Sequence, residues 1–301
     1  MSGVRVGVTL PQFTDDASVF DDGVRRAQDL GFDSIWVLDH LWPLHAKHRP
    51  ILEGWTSLAW AAAATTEITV GTLVTRSSLR HPAVLAKMAA TVSEIAPGRL
   101  CVGIGSGDNL NAAENLGFGI PYWTGDDRKS QLASTVEVLH RFREDGALTI
   151  ADDFVAIDGL PAGPGPRSYS IWVGGRSVAV LDVAGRLADG WNAWAVPPEE
   201  VANAAAALRK IARDRPFDVT WGGQVVVAET DEQARARLGK RNPVHYVTGS
   251  PATVGRYLRS LVEAGAQHLV LASPFASERK SYELLARVRE EELGGSVTPG
   301  R

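Results

Sequence analysis

The chain has 301 residues, 45% hydrophobic and 22% charged, enough to bury a full-sized core as one large βα domain or two ordinary ones. A formal net charge of −4 and a pI near 6.0 exclude an electrostatic case for nucleic acid or an anionic membrane as main partner, and favour a small-molecule enzyme. One cysteine, Cys101, excludes an internal disulfide and a cysteine-based metal cluster within the chain, which agrees with a reducing cytoplasm.

The N-terminal residues Met1 to Val6 run straight into a strand-like segment, with no basic region followed by a long apolar one. No apolar stretch approaches the ~18 residues of a membrane-spanning helix, so the expectation is a soluble cytoplasmic protein.

In chain order, strand-like runs fall at 4–10, 33–38, 68–74, 99–104, 170–174, 188–192, 219–228 and 267–272, with helix-like segments between them. This βα alternation is what a parallel sheet with crossover helices produces. Runs such as Leu100 to Ile104 and His268 to Ala272 are continuously apolar, a sign of burial on both faces. An open doubly wound sheet would share that pattern. Eight units in ~250 residues, with no linker dividing the chain, favour an α/β (β/α)8 TIM barrel, a single domain over 1–301.

The first helix stops at Gly31, and the strand after it ends on Trp36-Val37-Leu38-Asp39-His40. The C-terminal tip of a barrel strand is where chemistry is done. There Asp39 is suited to accept hydrogen bonds from a ring N–H or a ribityl hydroxyl, and His40 to donate to a substrate oxygen. The plain alternative is a strand-end cap beside a half-buried histidine. His40, His45 and His48 share a loop but lack metal-site spacing, so no metal is expected.

His81-Pro82 opens a helix whose apolar stripe is Val84, Leu85, Met88, Ala89, Val92 and Ile95, ended by Pro97-Gly98. The next strand leads into Gly103-Ile104-Gly105-Ser106-Gly107-Asp108-Asn109-Leu110-Asn111. Its glycines let backbone approach a flat ligand, yet the spacing is not a dinucleotide fingerprint, and a simple turn explains it equally well. Residues 145–168 read as a short hairpin insertion followed by a stiff proline-rich connector.

Beyond it, Gly174-Gly175-Arg176 enters an apolar-patterned helix, Val178 to Leu187. The sequence there is either an anion site suited to a phosphate or an ordinary βα turn. A last helix carries Val254, Leu258, Leu261 and Val262, and the tail from Gly294 to Arg301 reads as frayed. Of nine tryptophans, Trp36, Trp60 and Trp172 read as core. Trp42, Trp55, Trp123, Trp191 and Trp194 fall near strand tips and loops, where some would wall an apolar pocket.

Taken in register, several motifs resemble the bacterial-luciferase-like flavin and deazaflavin oxidoreductases over nearly the whole length. They are Val6-Gly7-Val8 with Pro11-Gln12, Gly31 to Trp36, Gly71-Thr72 with Arg80-His81-Pro82-Ala83, Pro97 to Leu100, Gly174-Gly175 with Ala188 to Trp191, and Gly265 to Leu269. The resemblance implies a (β/α)8 barrel, commonly a homodimer, holding FMN or coenzyme F420 at its C-terminal mouth. Asp39-His40 with Gly105 to Asn111 is similar to the F420 branch, in particular its glucose-6-phosphate dehydrogenases.

By that resemblance Asp39 and Asn111 contact the deazaflavin head or ribityl chain, and Gly107, Gly174, Gly175 and Arg176 belong to the cofactor site. Leu73, Val74 and Thr75 match the segment that buttresses the ring, with a non-proline cis peptide at Leu73-Val74. His40 is implied as the group near the hydride-transfer carbon and Asp108 as a second catalytic residue. Asp108 stands where the sugar-phosphate enzymes have a glutamate, and Asn192 to Pro198 lacks their phosphate-binding cation. The expected function is therefore hydride transfer between F420 and an apolar or unsaturated or carbonyl-bearing organic substrate. The alternatives are an FMN-dependent monooxygenase on the same barrel and a binding protein without catalysis.

Overall fold

A computed structural model describes residues 3–43, 46–144, 147–161 and 168–294. The expected frayed tail beyond residue 294 and the proline-rich connector at 162–167 lie outside the described residues.

The strands are β1 Arg5–Thr9, β2 Ser34–Val37, β3 Thr69–Thr72, β4 Thr75–Arg76, β5 Leu100–Gly105, β6 Ala147–Ala151, β7 Ala156–Pro161, β8 Tyr169–Gly174, β9 Gly190–Trp194, β10 Asp218–Val227, β11 Tyr246–Gly249 and β12 His268–Ala272. Eight of them close a parallel barrel in the order β10, β12, β1, β2, β3, β5, β8, β9, with β9 pairing back onto β10 from Asp218↔Gly190 to Gly222↔Trp194. Each corresponds to one of the eight sequence-read strands, shifted by no more than two residues at most ends. β6 and β7 form the expected antiparallel hairpin.

Two short strands escaped the sequence pattern. β4 pairs with the end of β5 after the Leu73–Val74 peptide, which is cis, and β11 pairs with the far half of β10. Neither is long enough to carry a period of its own.

Around the barrel lie α1 Ala17–Asp29, α2 Gly54–Ala64, α3 Pro82–Ile95, α4 Ala112–Gly117, α5 Gly125–Phe142, α6 Val178–Leu187, α7 Pro198–Ala212, α8 Asp231–Leu238, α9 Pro251–Glu263 and α10 Arg279–Arg287. Their starts follow local chemistry. Asp16 accepts from the Ser18 amide at the head of α1, Glu53 caps α2 through the amides of Trp55 and Thr56, and Pro82 opens α3. Gly31, at φ +69°, supplies the left-handed residue that ends α1.

The strands look continuously apolar because they serve two separate cores. Outward-facing Val8, Ile35, Val37, Val102, Ile104, Val173 and Leu271 pack against the helices. Each such burial contributes roughly 1.5–3 kcal/mol. Inside the barrel a second cluster comprises Trp36, Leu73, Cys101, Trp172 and Val270, with half-buried Leu38 and Val74 packed on it.

Trp36 and Trp172 stack at 4.9 Å and fill the lumen, so the neighbouring interior positions are glycine. A Cβ on Gly71 would stand 2.4 Å from the Trp36 ring. Beneath the stack, Ser34 Oγ bridges the Trp36 indole N–H at 2.7 Å and His268 Nε2 at 2.6 Å. Burial, with the Arg5 charge adding to it, pulls the His268 imidazole down to about 3, so it is neutral in the folded protein.

Several side chains depart from the sequence reading. Trp60, read as core, is 41% exposed on α2, where its indole N–H donates to Asp21; the position faces outward between α1 and α2. Val84 and Ile95 belong to the apolar stripe of α3 yet are exposed, because the helix buries only the narrower face through Leu85, Ala89 and Val92. Trp55 and Trp191, read as near strand tips and loops, are buried in the outer core, and each also lines a surface groove, Trp55 the one between α2 and α3.

Candidate active site at the barrel mouth

The C-terminal ends of β1, β2, β10 and β12 surround a groove of about 440 Å³ lined in part by Leu10, Phe13, Leu38 and Ala272. Arg49 and Arg241 also line it. The tip of β2 is pinned by Gln12, which donates to the carbonyls of Leu38 and Leu52 and accepts from the Leu38 amide. Asp39 and His40 follow directly.

Asp39 is buried, its side chain 0% exposed. Arg80 grips it with both nitrogens, Nη1 to Oδ2 at 2.6 Å and Nη2 to Oδ1 at 2.9 Å, and the Thr75 hydroxyl also donates to Oδ2. Arg80 in turn pairs with Glu53 at 2.5 Å, and the Trp55 indole donates to Thr75 at 3.1 Å. Burial pushes the Glu53 carboxyl upward, but the hydrogen bonds from Thr56 and Trp55 and the Arg80 charge outweigh it and hold it below the usual glutamate range.

His40 leaves 22% of its side chain exposed, and its Nδ1 lies 3.1 Å from Glu114 Oε2. Glu114, on α4, is fully buried. It pairs with Arg76 at 2.7 Å and accepts from the backbone amides of Leu41 and Trp42. Burial pushes its carboxyl up as well, and the bonds from His40 and Leu41 with the Arg76 charge bring it below the usual range. Arg76 Nη1 also reaches the Asn111 carbonyl and Asn115 Oδ1.

The glycine-rich loop ends in a capped 3-10 turn. Asp108 is exposed and accepts from the Leu110 amide at 2.8 Å, while its own amide donates to Asn111 Oδ1 at 2.8 Å. Gly107 adopts φ +71°, and a Cβ there would press on Arg76 Cδ and Asn111 Oδ1, both at 3.0 Å. Glycine is thus required by the turn and by the arginine beneath it.

Leu73, Val74 and Thr75 lie across the barrel end, with Val74 packed against Gly105 and Gly174. Gly174 and Gly175 are half-buried at the tip of β8, whereas Arg176 is exposed and faces Glu200 of α7 at 3.8 Å. The structure therefore brings the named residues into two adjacent clusters, Asp39 and Thr75 around Arg80, and His40, Gly107 and Asn111 around Arg76 and Glu114. Among the described residues Asp108 and Arg176 make no contact with either beyond the Asp108–Asn111 cap.

Arg76, Arg80 and Glu114 had no functional reading in the sequence. Arg80 stood inside a motif without a role. Glu114, three residues past Asn111, reads as ordinary surface charge on a short helix.

The mouth suits a flat aromatic cofactor in one respect: half-buried Leu38 and Val74 offer an apolar floor over the closed tryptophan stack, while the groove beside Leu38 also presents Arg49, Gln224, Arg241 and Tyr246. Among the described residues, no group of three His, Cys, Asp or Glu side chains comes together as a metal site, and no helix is long and apolar enough to cross a membrane.

Comparison with known proteins follows the same lines. The chain is 28% identical to an F420-dependent glucose-6-phosphate dehydrogenase of Beutenbergia cavernae, over 88% of this chain and 92% of that one. It is 31% identical to a 5,10-methylenetetrahydromethanopterin reductase of Archaeoglobus fulgidus, over 77% of this chain and 67% of that one. In structure it is similar to an F420-dependent secondary alcohol dehydrogenase solved with an F420-acetone adduct, with a TM-score of 0.81, 20% identity and 95% and 99% of the two chains covered. The family model of the luciferase-like monooxygenases matches residues 4–298, and the chain belongs to that family.

Proposed function

We propose that the protein is a coenzyme F420-dependent oxidoreductase that moves a hydride between the deazaflavin and an apolar, unsaturated or carbonyl-bearing organic substrate. The observation that carries this reading is the rim of the barrel mouth, where His40 stands part-exposed beside an apolar floor in a chain whose relatives include F420-dependent dehydrogenases.

When bound, the deazaflavin supplies the carbon that gives or takes the hydride. Leu38 and Val74 would support its ring, and Gly107, Gly174 and Gly175 would let backbone approach it. Asp39, Asn111 and Thr75 would act mainly by holding the rim in shape, since Asp39 and Asn111 already use their oxygens within the protein. His40 would meet the substrate oxygen through Nε2, taking the proton from an alcohol as the hydride leaves or, once protonated there, giving it to a carbonyl oxygen as the hydride arrives. Exposed Asp108 is a second candidate for that proton, and Arg176, if it takes part, would meet the cofactor's phosphate.

An apolar groove of about 490 Å³ between α2 and α3, lined by Ala59, Val84 and Met88, supports a homodimer burying this face. A cytoplasmic location fits a chain whose single cysteine is buried and unpaired.

Parallel fluorescence titrations with F420 and FMN test the reading. Micromolar or tighter binding of F420 alone is expected, followed by turnover of reduced F420 on a panel of enones and ketones with and without an acidic group. Binding of FMN alone would overturn the proposal and make oxygen consumption the assay to run.

A further inference from the structure

We propose that Glu114 is the positioning residue for His40, fixing the proton on Nδ1 and leaving Nε2 as the ring's free nitrogen. The inference rests on the oxidoreductase reading only where turnover is concerned.

A carboxylate accepts and never donates when ionised, so an imidazole nitrogen facing it must carry hydrogen. Glu114 is ionised by construction: its side chain is 0% exposed, Arg76 pairs with it at 2.7 Å, and the amides of Leu41 and Trp42 donate to its other oxygen. The Oε2 atom that meets Arg76 also meets His40 Nδ1 at 3.1 Å. Among the described residues His40 makes no other hydrogen bond, so Nε2 has no partner among them.

The arrangement follows the general logic by which a buried acid orients a histidine that works on a third group. A carboxylate serving only to clamp the loop at Leu41 and Trp42 would leave the imidazole tautomer unset. Glu114 does both, because its two oxygens point to different partners.

Selective 15N-histidine spectra of the intact protein, with His40 assigned by difference against His40→Gln, read the tautomer directly. For the neutral ring the expected wild-type signal has a protonated Nδ1 and a lone pair on Nε2. In Glu114→Gln the side-chain amide faces Nδ1 as a donor, so the proton should move to Nε2. Turnover with F420 should then fall about 10²-fold while the F420 dissociation constant stays within about twofold.

Should unpaired Arg76 prevent that variant from folding, Arg76→Met/Glu114→Gln removes both charges and is expected to lose the same tautomer preference and turnover. A wild-type His40 protonated on Nε2 alone would overturn the proposal. So would either variant that releases the tautomer yet turns over like wild type. A wild type that ignores F420 would instead sink the oxidoreductase reading, with the spectra still deciding the role of Glu114.

Discussion

Asp39 and His40 are neighbours in sequence, and each is backed by one arginine and one glutamate, yet the two clusters differ in a way that separates structure from chemistry. The Asp39 cluster is closed: Arg80 and Thr75 donate to both carboxylate oxygens, and the side chain is 0% exposed. The His40 cluster is open on one side, with Nδ1 held by Glu114 and the ring 22% exposed. A closed cluster holds the mouth in shape, whereas an open one has a group left over for a substrate.

The largest effect that would test this contrast is on stability. Asp39→Asn leaves Arg80 buried against a neutral partner and should cost about 3 kcal/mol, because breaking a buried pair is far costlier than replacing it. Urea unfolding at pH 7 measures this, and a wild-type midpoint would show that the cluster is not closed in solution.

His40→Ala should behave in the opposite way. Its stability should stay within about 1 kcal/mol of wild type, while turnover drops by about 10²-fold or more and F420 still binds. Full turnover in that variant would remove His40 from the chemistry.

Thr75→Val sharpens the comparison further. The hydroxyl donates to Asp39 and accepts from the Trp55 indole, so its loss should cost roughly 1–3 kcal/mol with both groups left short of a partner. Calorimetric melting would register it, and unchanged melting would mean that water takes its place.

The smallest effect is in acid. Glu53 and Glu114 are both held below the ordinary value of 4.5 in the folded protein, so the unfolded chain binds more protons there. Their contribution is complete above about 4.5 and is lost as pH falls through the lower folded values. Glu53 is 36% exposed and screened, so Glu53→Gln should cost less than about 1 kcal/mol at pH 7. The difference from wild type should vanish in acid, and a gap that stays constant from neutral pH into acid would argue for a packing effect instead.

How much of this was legible beforehand varied with sequence distance. The eight barrel strands, the hairpin and the Asp39-His40 tip could be read because each depends on a local pattern: an apolar run, a turn, a helix stop. The same pattern misjudged Val84 and Ile95, since three- and four-residue spacing places a residue on a helix face without saying whether a neighbour covers that face. It could not divide the strands into outer shell and tryptophan-filled lumen, because both look apolar in one dimension. The site residues named from sequence follow or end β2, β3, β5 and β8, none of them lines the groove between β1, β2, β10 and β12, and their roles are proposals.

What the sequence by itself determined was the order of βα units, the caps that start and stop them, and the glycines that mark close approach at the strand tips. Each of these is set by interactions between residues a few positions apart. Only the tertiary structure decided which charges meet: Arg80 lies 41 residues from Asp39 and Glu114 lies 74 from His40. Closing the barrel brings them together, and burial then makes their pairing obligatory, since an ion taken out of water must find its partner within the fold.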